Sequence, residues 1–258
     1  MDLNIENKVA FVAGSSRGIG RAIAKSLLVE GARVVITGRN AAELSKTENE
    51  LRAESASDKL MSLTGDLTQP GSIQTALMQI KARWNTIDIL VTNIGSGQGQ
   101  AGWSADVEEW QRLYDINLFS AIRLVTATLP VMVEQKHGTI VLISSITGLE
   151  CTAAPLAYSS AKAALLSYMK NIAHQVAPSG VRVNAVAPGN ILFPGSSWET
   201  HMQTRRKEVM HFIETEVPMR RFGQPEEIAN AVVFLSSERA SFINGSCLVA
   251  DGGQTRSL

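Results

Sequence analysis

Short apolar runs alternate with longer stretches of helical period along the whole chain. Residues 9–13, 33–37, 59–63, 87–92, 139–144, 181–187 and 247–250 have strand character; most are rich in Val and Ile, and 59–63 is the weakest. Their apolar positions are continuous rather than alternating, as expected for strands covered on both faces. Between them, near 18–30, 41–55, 72–84, 106–134, 157–177 and 225–236, apolar residues recur at helical spacing. Strand alternating with helix predicts an α/β fold: a doubly wound (Rossmann) parallel sheet of about seven strands with helices on both faces. No linker, internal repeat or low-complexity tract interrupts the rhythm, so residues 1–258 are expected to form a single dinucleotide-binding and catalytic domain. One segment departs from it. Residues 189–223, flanked by Pro188 and holding Pro194, Pro218 and a short helical pattern near 199–216, follow the sixth strand. That position, beyond the carboxyl ends of the strands, predicts a substrate lid.

The turn after the first strand reads Gly14-Ser15-Ser16-Arg17-Gly18-Ile19-Gly20 and runs into a helix. Glycines at this spacing allow a tight turn and close approach to a pyrophosphate, whose charge a helix N-terminus favours. The second strand ends Thr37-Gly38-Arg39, with no carboxylate there to bond a ribose 2'-hydroxyl. Arg39 and Arg17 instead offer two cations to a 2'-phosphate, which predicts NADP(H) as the cofactor. A second glycine run, Gly97-Gln98-Gly99-Gln100-Ala101-Gly102, matches G-x-G-x-x-G literally. The next helix starts only near Asp106, whose side chain with Glu109 suggests a capping box, so this run is expected to be a loop. It is read as a flexible pocket rim, with Trp103 as an apolar wall.

Ser145, Tyr158 and Lys162 form a polar set on otherwise apolar ground. In a helix over 157–177, Tyr158 and Lys162 stack at i, i+4 on the face that carries Leu165, Met169, Ile172 and Val176. A lysine there needs a partner or a task. An ammonium beside a phenol favours phenolate, and shifting a phenol from near 10 toward neutrality takes roughly 4 kcal/mol. Tyr158 would then exchange a proton with a substrate oxygen that the Ser145 hydroxyl holds.

Composition excludes other classes. Lys plus Arg and Asp plus Glu both number 24, so the net charge is zero and neither nucleic acid nor an anionic membrane is an expected partner. The two cysteines, Cys151 and Cys247, lack C-x-x-C spacing and the four histidines are scattered, so no metal site is expected. The start carries no signal pattern, which makes a cytoplasmic location the default.

Together these residues resemble the short-chain dehydrogenase/reductase family in its single-domain form. The match runs nearly end to end through residues 14–20, Gly65-Asp66-Leu67, Thr92-Asn93-Ile94-Gly95, Asn117, Ser144-Ser145, Tyr158 with Lys162, Pro188-Gly189 and Val249-Ala250-Asp251-Gly252-Gly253. The resemblance implies that Tyr158 is the acid or base, that Ser145 orients the substrate oxygen, and that Lys162 lowers the phenol pKa and holds the nicotinamide ribose. It also implies that Asn117 completes the tetrad through a water-linked relay. Asn117 shares a helix face with Leu113, Ala121 and Leu124, where it is either a site residue or a hydrogen-bonded core amide. Further implied cofactor neighbours are Asp66 and Leu67 at the adenine, Asn93, Ile94 and Gly95 along the dinucleotide, and Gly189 with Ile191 near the carboxamide. Ala13, Thr92, Ile94 and Phe193 depart from the family pattern, Phe193 standing where a cofactor-contacting threonine is common.

What the resemblance implies is an NADPH-dependent reductase of a ketone or 3-oxoacyl group, similar to the 3-oxoacyl-[acyl-carrier-protein] reductases. A sugar or small-alcohol dehydrogenase of the same family is the alternative. A nucleotide-sensing regulator would be expected to lose a tetrad member, and a nucleotide-sugar epimerase to have a longer chain and other glycine spacing. Arg205, Arg206, Lys207, Arg220 and Arg221 in the lid read either as a carrier-recognition patch or, with Glu199, Glu208, Glu214 and Glu216 interleaved, as a solvated face. A homotetramer, paired through 106–134, 157–177 and the last strand, is likewise implied.

Overall fold

The computed structural model describes residues 2–54 and 57–256. The chain alternates β1 (Val9–Ala13), α1 (Gly18–Val29), β2 (Arg33–Gly38), α2 (Ala41–Glu54), β3 (Leu60–Thr64), α3 (Pro70–Trp84) and β4 (Ile89–Thr92). It continues through α4 (Val107–Tyr114), α5 (Ser120–Gln135), β5 (Gly138–Ile143), α6 (Leu156–Val176), β6 (Val181–Pro188), α7 (Ser197–Glu216), α8 (Pro225–Ser236) and β7 (Cys247–Ala250). All strand pairs are parallel, in the order β3-β2-β1-β4-β5-β6-β7. The order reverses between β1 and β4, which opens a crevice at their carboxyl ends.

Strand pleating divides the core in two. Ala10, Val12, Val34, Ile36 and Val91 face α1 and α8, where Ile23, Leu27, Ile228 and Val232 cover them. Val9, Phe11, Val35, Leu90 and Ile140 face the other way, onto Ile73 and Ile80 of α3, Leu124 and Val125 of α5, and Leu165 and Met169 of α6. Both faces of the central strands are dry, which is why those strands read as unbroken apolar runs.

Element boundaries follow local chemistry. Helix α3 starts at Pro70, two residues before the expected start, because proline at the first helical position is pre-set for the turn. The long helix expected over 106–134 is two α-helices joined by a π-helical turn, Asp115–Phe119. By length and composition alone Val107–Gln135 could cross a membrane. Leu113, Leu124, Val125 and Met132 within it are fully buried in the core, which accounts for its apolar character. The cap at Asp106 is one-sided: its carboxylate accepts from the Glu109 amide at 2.8 Å, while Glu109 turns to the Gln100 amide and to Arg112.

The segment after β6 is a pinned excursion. Gly189 is tied to the sheet through Ala250, the Leu192 amide donates to Gly223 at 3.1 Å, and the Gly223 amide donates to Asn190 at 2.9 Å. Ile191 and Gly223 thus form a parallel bridge that closes the base of the excursion. Helix α7 breaks at Arg205 (φ −140°, ψ 42°) and folds back on itself. Trp198 and Phe212 stack at 5.8 Å, although fourteen residues of straight helix would part them by about 21 Å. Phe222 adds a second ring contact to Trp198 at 5.4 Å.

Candidate active site

Six strand ends deliver the predicted residues to one edge of the sheet. Residues 14–20 leave β1, Arg39 leaves β2, Asp66 and Leu67 follow β3, Asn93 to Gly95 follow β4, Ser144 and Ser145 follow β5, and Pro188 ends β6 just before Gly189 and Ile191. Tyr158 and Lys162 come from the first turns of α6, and Asn117 from the π-helical turn.

The turn after β1 is held from both sides. The Ser15 hydroxyl donates to Val12 and accepts from the Thr37 amide, which binds the turn to β2. Asn93 donates through Nδ2 to the Gly14 carbonyl at 2.8 Å, which binds it to β4. Gly18 has φ +55°, and a Cβ on Gly20 would stand 2.2 Å from the Gly14 carbonyl oxygen. Helix α1 begins here with no side-chain cap and no acid in its first turn. A turn that requires glycine at 18 and 20 and opens an uncapped helix is a fit for an anionic dinucleotide. Gly20→Ala is expected to destabilise the protein by about 2–3 kcal/mol, read as a melting temperature lower by roughly 5–10 °C. A change under 2 °C would mean that the turn relaxes around the methyl group.

The catalytic candidates converge one strand further on. Lys162 is 3% exposed, and its ammonium donates to the Ile143 carbonyl at 2.9 Å. A Cβ on Gly95 would lie 2.9 Å from Asn117 Oδ1 and 3.2 Å from Lys162 Nζ, so the absence of a side chain there is what lets the two approach. Gly148, in the short turn after Ser145, presses on the α6 backbone at Lys162 in the same way. The ammonium stands 5.8 Å from the centroid of the Tyr158 ring. The Ser145 hydroxyl is close enough to the phenol to favour its ionisation, and a Cβ on Gly97 would lie 3.8 Å from the ring.

Burial decides the protonation of both groups. It lowers the Lys162 ammonium to about 8. It raises the Tyr158 phenol above its ordinary value, against a smaller lowering by the Ser145 bond. The expected depression of the phenol by Lys162 is therefore not present in the isolated chain. The ammonium spends its contact on Ile143, and desolvation outweighs the attraction. A phenol in this state is a proton donor at neutral pH, not a phenolate.

Asn117 is completely buried and fully bonded: Oδ1 accepts from the Ser96 amide, and Nδ2 donates to the Ser96 and Leu113 carbonyls. These bonds fasten the strand end of β4 to the π-helical turn, a feature frequent at functional sites. Asp66 accepts from the amide and hydroxyl of Thr68 and shapes the turn after β3, while Leu67 is buried. The glycine run 97–102 is a loop, as its distance from the next helix predicted. Trp103, however, is 88% exposed and walls nothing within the single chain.

Three features escaped the sequence. Phe193 lays its ring on Gly18, where an added Cβ would lie 2.4 Å from it. Gly195 rests on Arg17 in the same manner, so the excursion meets the glycine turn directly. Glu43, in the first turn of α2, accepts from the Ser16 hydroxyl at 3.1 Å and stands 3.9 Å from Arg17. A carboxylate thus reaches the corner where β2 itself brings none; the only sequence signal was Asn40 three residues before it, a helix-start spacing.

A family model described as enoyl-(acyl carrier protein) reductase matches residues 13–255. The chain is 38% identical over 256 residues to the 3-oxoacyl-[acyl-carrier-protein] reductase of Escherichia coli (strain K12), covering 97% of this chain and 98% of that protein. Among solved structures, L-sorbose reductase from Gluconobacter frateurii, complexed with NADPH and L-sorbose, superposes with a TM-score of 0.93 at 31% identity over the whole of both chains. A 7α-hydroxysteroid dehydrogenase complexed with NADH and 7-oxo glycochenodeoxycholic acid gives a TM-score of 0.90 at 28% identity, over 100% of this chain and 98% of that one.

Proposed function

Because this chain belongs to the short-chain dehydrogenase/reductase family of oxidoreductases, we propose that it reduces a ketone or 3-oxoacyl group with NADPH. The observation that carries this reading is the part-buried phenol of Tyr158, with its pKa raised above the ordinary value, facing the Ser145 hydroxyl, and the buried Lys162 beside it. Ser145 holds the substrate oxygen, and Tyr158 gives that oxygen its proton. Lys162, held by the Ile143 carbonyl, would offer its ammonium to the ribose of the dinucleotide. Asn117 fixes the floor of the site through Ser96. The nicotinamide, when bound, supplies the hydride. In reduction the acid must start protonated, which the raised phenol pKa favours.

The residues proposed to hold NADP(H) are the turn 14–20, Arg39, Asp66 with Leu67, Asn93 to Gly95, Tyr158, Lys162, and Pro188 to Ile191. Arg39 is exposed and has no ion pair among the described residues, which supports a phosphate there. The excursion over 189–223 serves as the lid, since its first leg touches the glycine turn through Phe193 and Gly195. A 3-oxoacyl substrate is supported by the Escherichia coli relative, and a sugar or small alcohol, the second reading, by the sorbose reductase likeness.

A cytoplasmic homotetramer completes the reading. Exposed apolar side chains occur on the implied pairing elements: Val107 and Val133 on α4 and α5, Leu156 on α6, and Leu248 and Val249 on β7. Light scattering is expected to give four times the chain mass.

The deciding experiment follows NADPH and NADH absorbance with an acetoacetyl thioester, ketohexoses and small ketones. Turnover of the thioester above the sugars supports the first reading, and the reverse order supports the second. Cofactor binding without turnover of any carbonyl would overturn both in favour of a regulator.

A further inference from the structure

The corner where β2 meets the glycine turn holds one carboxylate that the proposed reaction does not use. Helix α2 grips Ser16 from two positions one turn apart: Glu43 Oε2 accepts from its hydroxyl at 3.1 Å, and the Thr47 hydroxyl donates to its carbonyl at 2.6 Å. The backbone at Glu43 is fixed in turn, because Asn40 Oδ1 accepts from the amides of Ala42 and Glu43. Gly38 packs on Ser16, a Cβ there standing 2.8 Å from the serine Cβ, so Arg39 emerges at the same corner. Arg17 reaches in from the other side, with Nε 3.9 Å from Glu43 Oε1. Two cations and one anion therefore share a half-exposed corner.

We propose that Glu43 sets cofactor discrimination by competing with the 2'-phosphate of NADP(H) for Ser16 and Arg17. This rests on the NADP(H) reading above. A phosphate entering between Arg17 and Arg39 meets a like charge, and it gains the Ser16 hydroxyl and the Arg17 cation only as the carboxylate gives them up. A bare ribose 2'-hydroxyl carries no charge and meets no such opposition. Glu43 thereby narrows a preference for NADP(H) that the two arginines alone would make steep. The helix N-terminus of α2 favours an acid at this position, so the opposing charge is also locally stabilised.

The test measures dissociation constants of the full-length protein for NADP+, NAD+ and the fragment 2',5'-ADP by calorimetry, at low and high salt. E43Q is expected to tighten NADP+ and 2',5'-ADP about tenfold and to leave NAD+ within about twofold. The gain should shrink as salt rises, because the corner is half-exposed. A thermal melt matching the parent confirms that the amide leaves the fold intact. If E43Q changes NADP+ affinity by less than twofold, or weakens it, the carboxylate does not compete and the proposal fails. R39A separates this failure from failure of the cofactor reading. Should the parent bind NAD+ more tightly than NADP+ and R39A alter neither, NADP(H) is the wrong cofactor. A loss of NAD+ affinity in E43Q would then assign Glu43 to the ribose hydroxyl and overturn the competition.

Discussion

Tyr158→Phe is expected to lower kcat for carbonyl reduction by about a thousandfold while cofactor binding persists, because the ring and the other residues proposed to hold NADP(H) remain. The substitution removes one oxygen. The ring keeps its place beside Gly97, and among the described residues the lost hydroxyl interacts with Ser145. Ser145 and Lys162 remain to polarise the substrate oxygen, so a small residual rate should persist. Steady-state kinetics with a substrate from the panel, together with cofactor titration, checks both halves. A variant within tenfold of the parent would remove Tyr158 from the chemistry.

Lys162→Met should give the opposite signs for stability and activity. Burial holds the ammonium at about 8 against an ordinary value of 10.5, so keeping it charged at neutral pH costs roughly 3 kcal/mol. Methionine has a similar reach and no charge, and it forfeits a hydrogen bond to Ile143 of about 1 kcal/mol. The cofactor-free variant is therefore expected to be more stable at pH 7 by about 2 kcal/mol, and its turnover to fall at least about a hundredfold. Because the folded pKa lies below the unfolded one, the unfolded chain binds more protons between about 8 and 10.5, and parent stability rises with pH across that window. The penalty is complete below pH 8 and relieved above 10.5. The gap in melting temperature between variant and parent should close over the same range. A variant less stable than the parent at pH 7 would show that the ammonium is a net structural asset.

Much of this was legible before folding because parallel strands announce themselves. β1 and β7 match the expected ranges residue for residue, and the others differ by one or two positions. The i, i+4 pair of Tyr158 and Lys162 needed only helical period to be brought together, and Leu165, Met169 and Val176 confirm which face is inward. What stayed hidden depends on single extra residues or on distant partners. A π-helical turn at Asp115–Phe119 inserts one residue into a period that hydrophobic spacing cannot resolve. The break at Arg205 carries neither proline nor glycine; it is enforced by Trp198 meeting Phe212. Glu43 lies 27 residues from Ser16, and no local pattern declares that contact. The protonation state of Tyr158 also required coordinates, since spacing gives the presence of a cation but not how much water the phenol loses.

The knot of backbone bonds at Ile191 and Gly223 has an evolutionary corollary. Since the two feet of the intervening hairpin stand side by side, changing the number of residues between them alters chain closure only logarithmically. New binding walls can be grafted there without moving Ser145, Tyr158 or Lys162, which hang from other strands and another helix. Changes in the excursion are thus mechanically uncoupled from the residues proposed to carry the proton transfer.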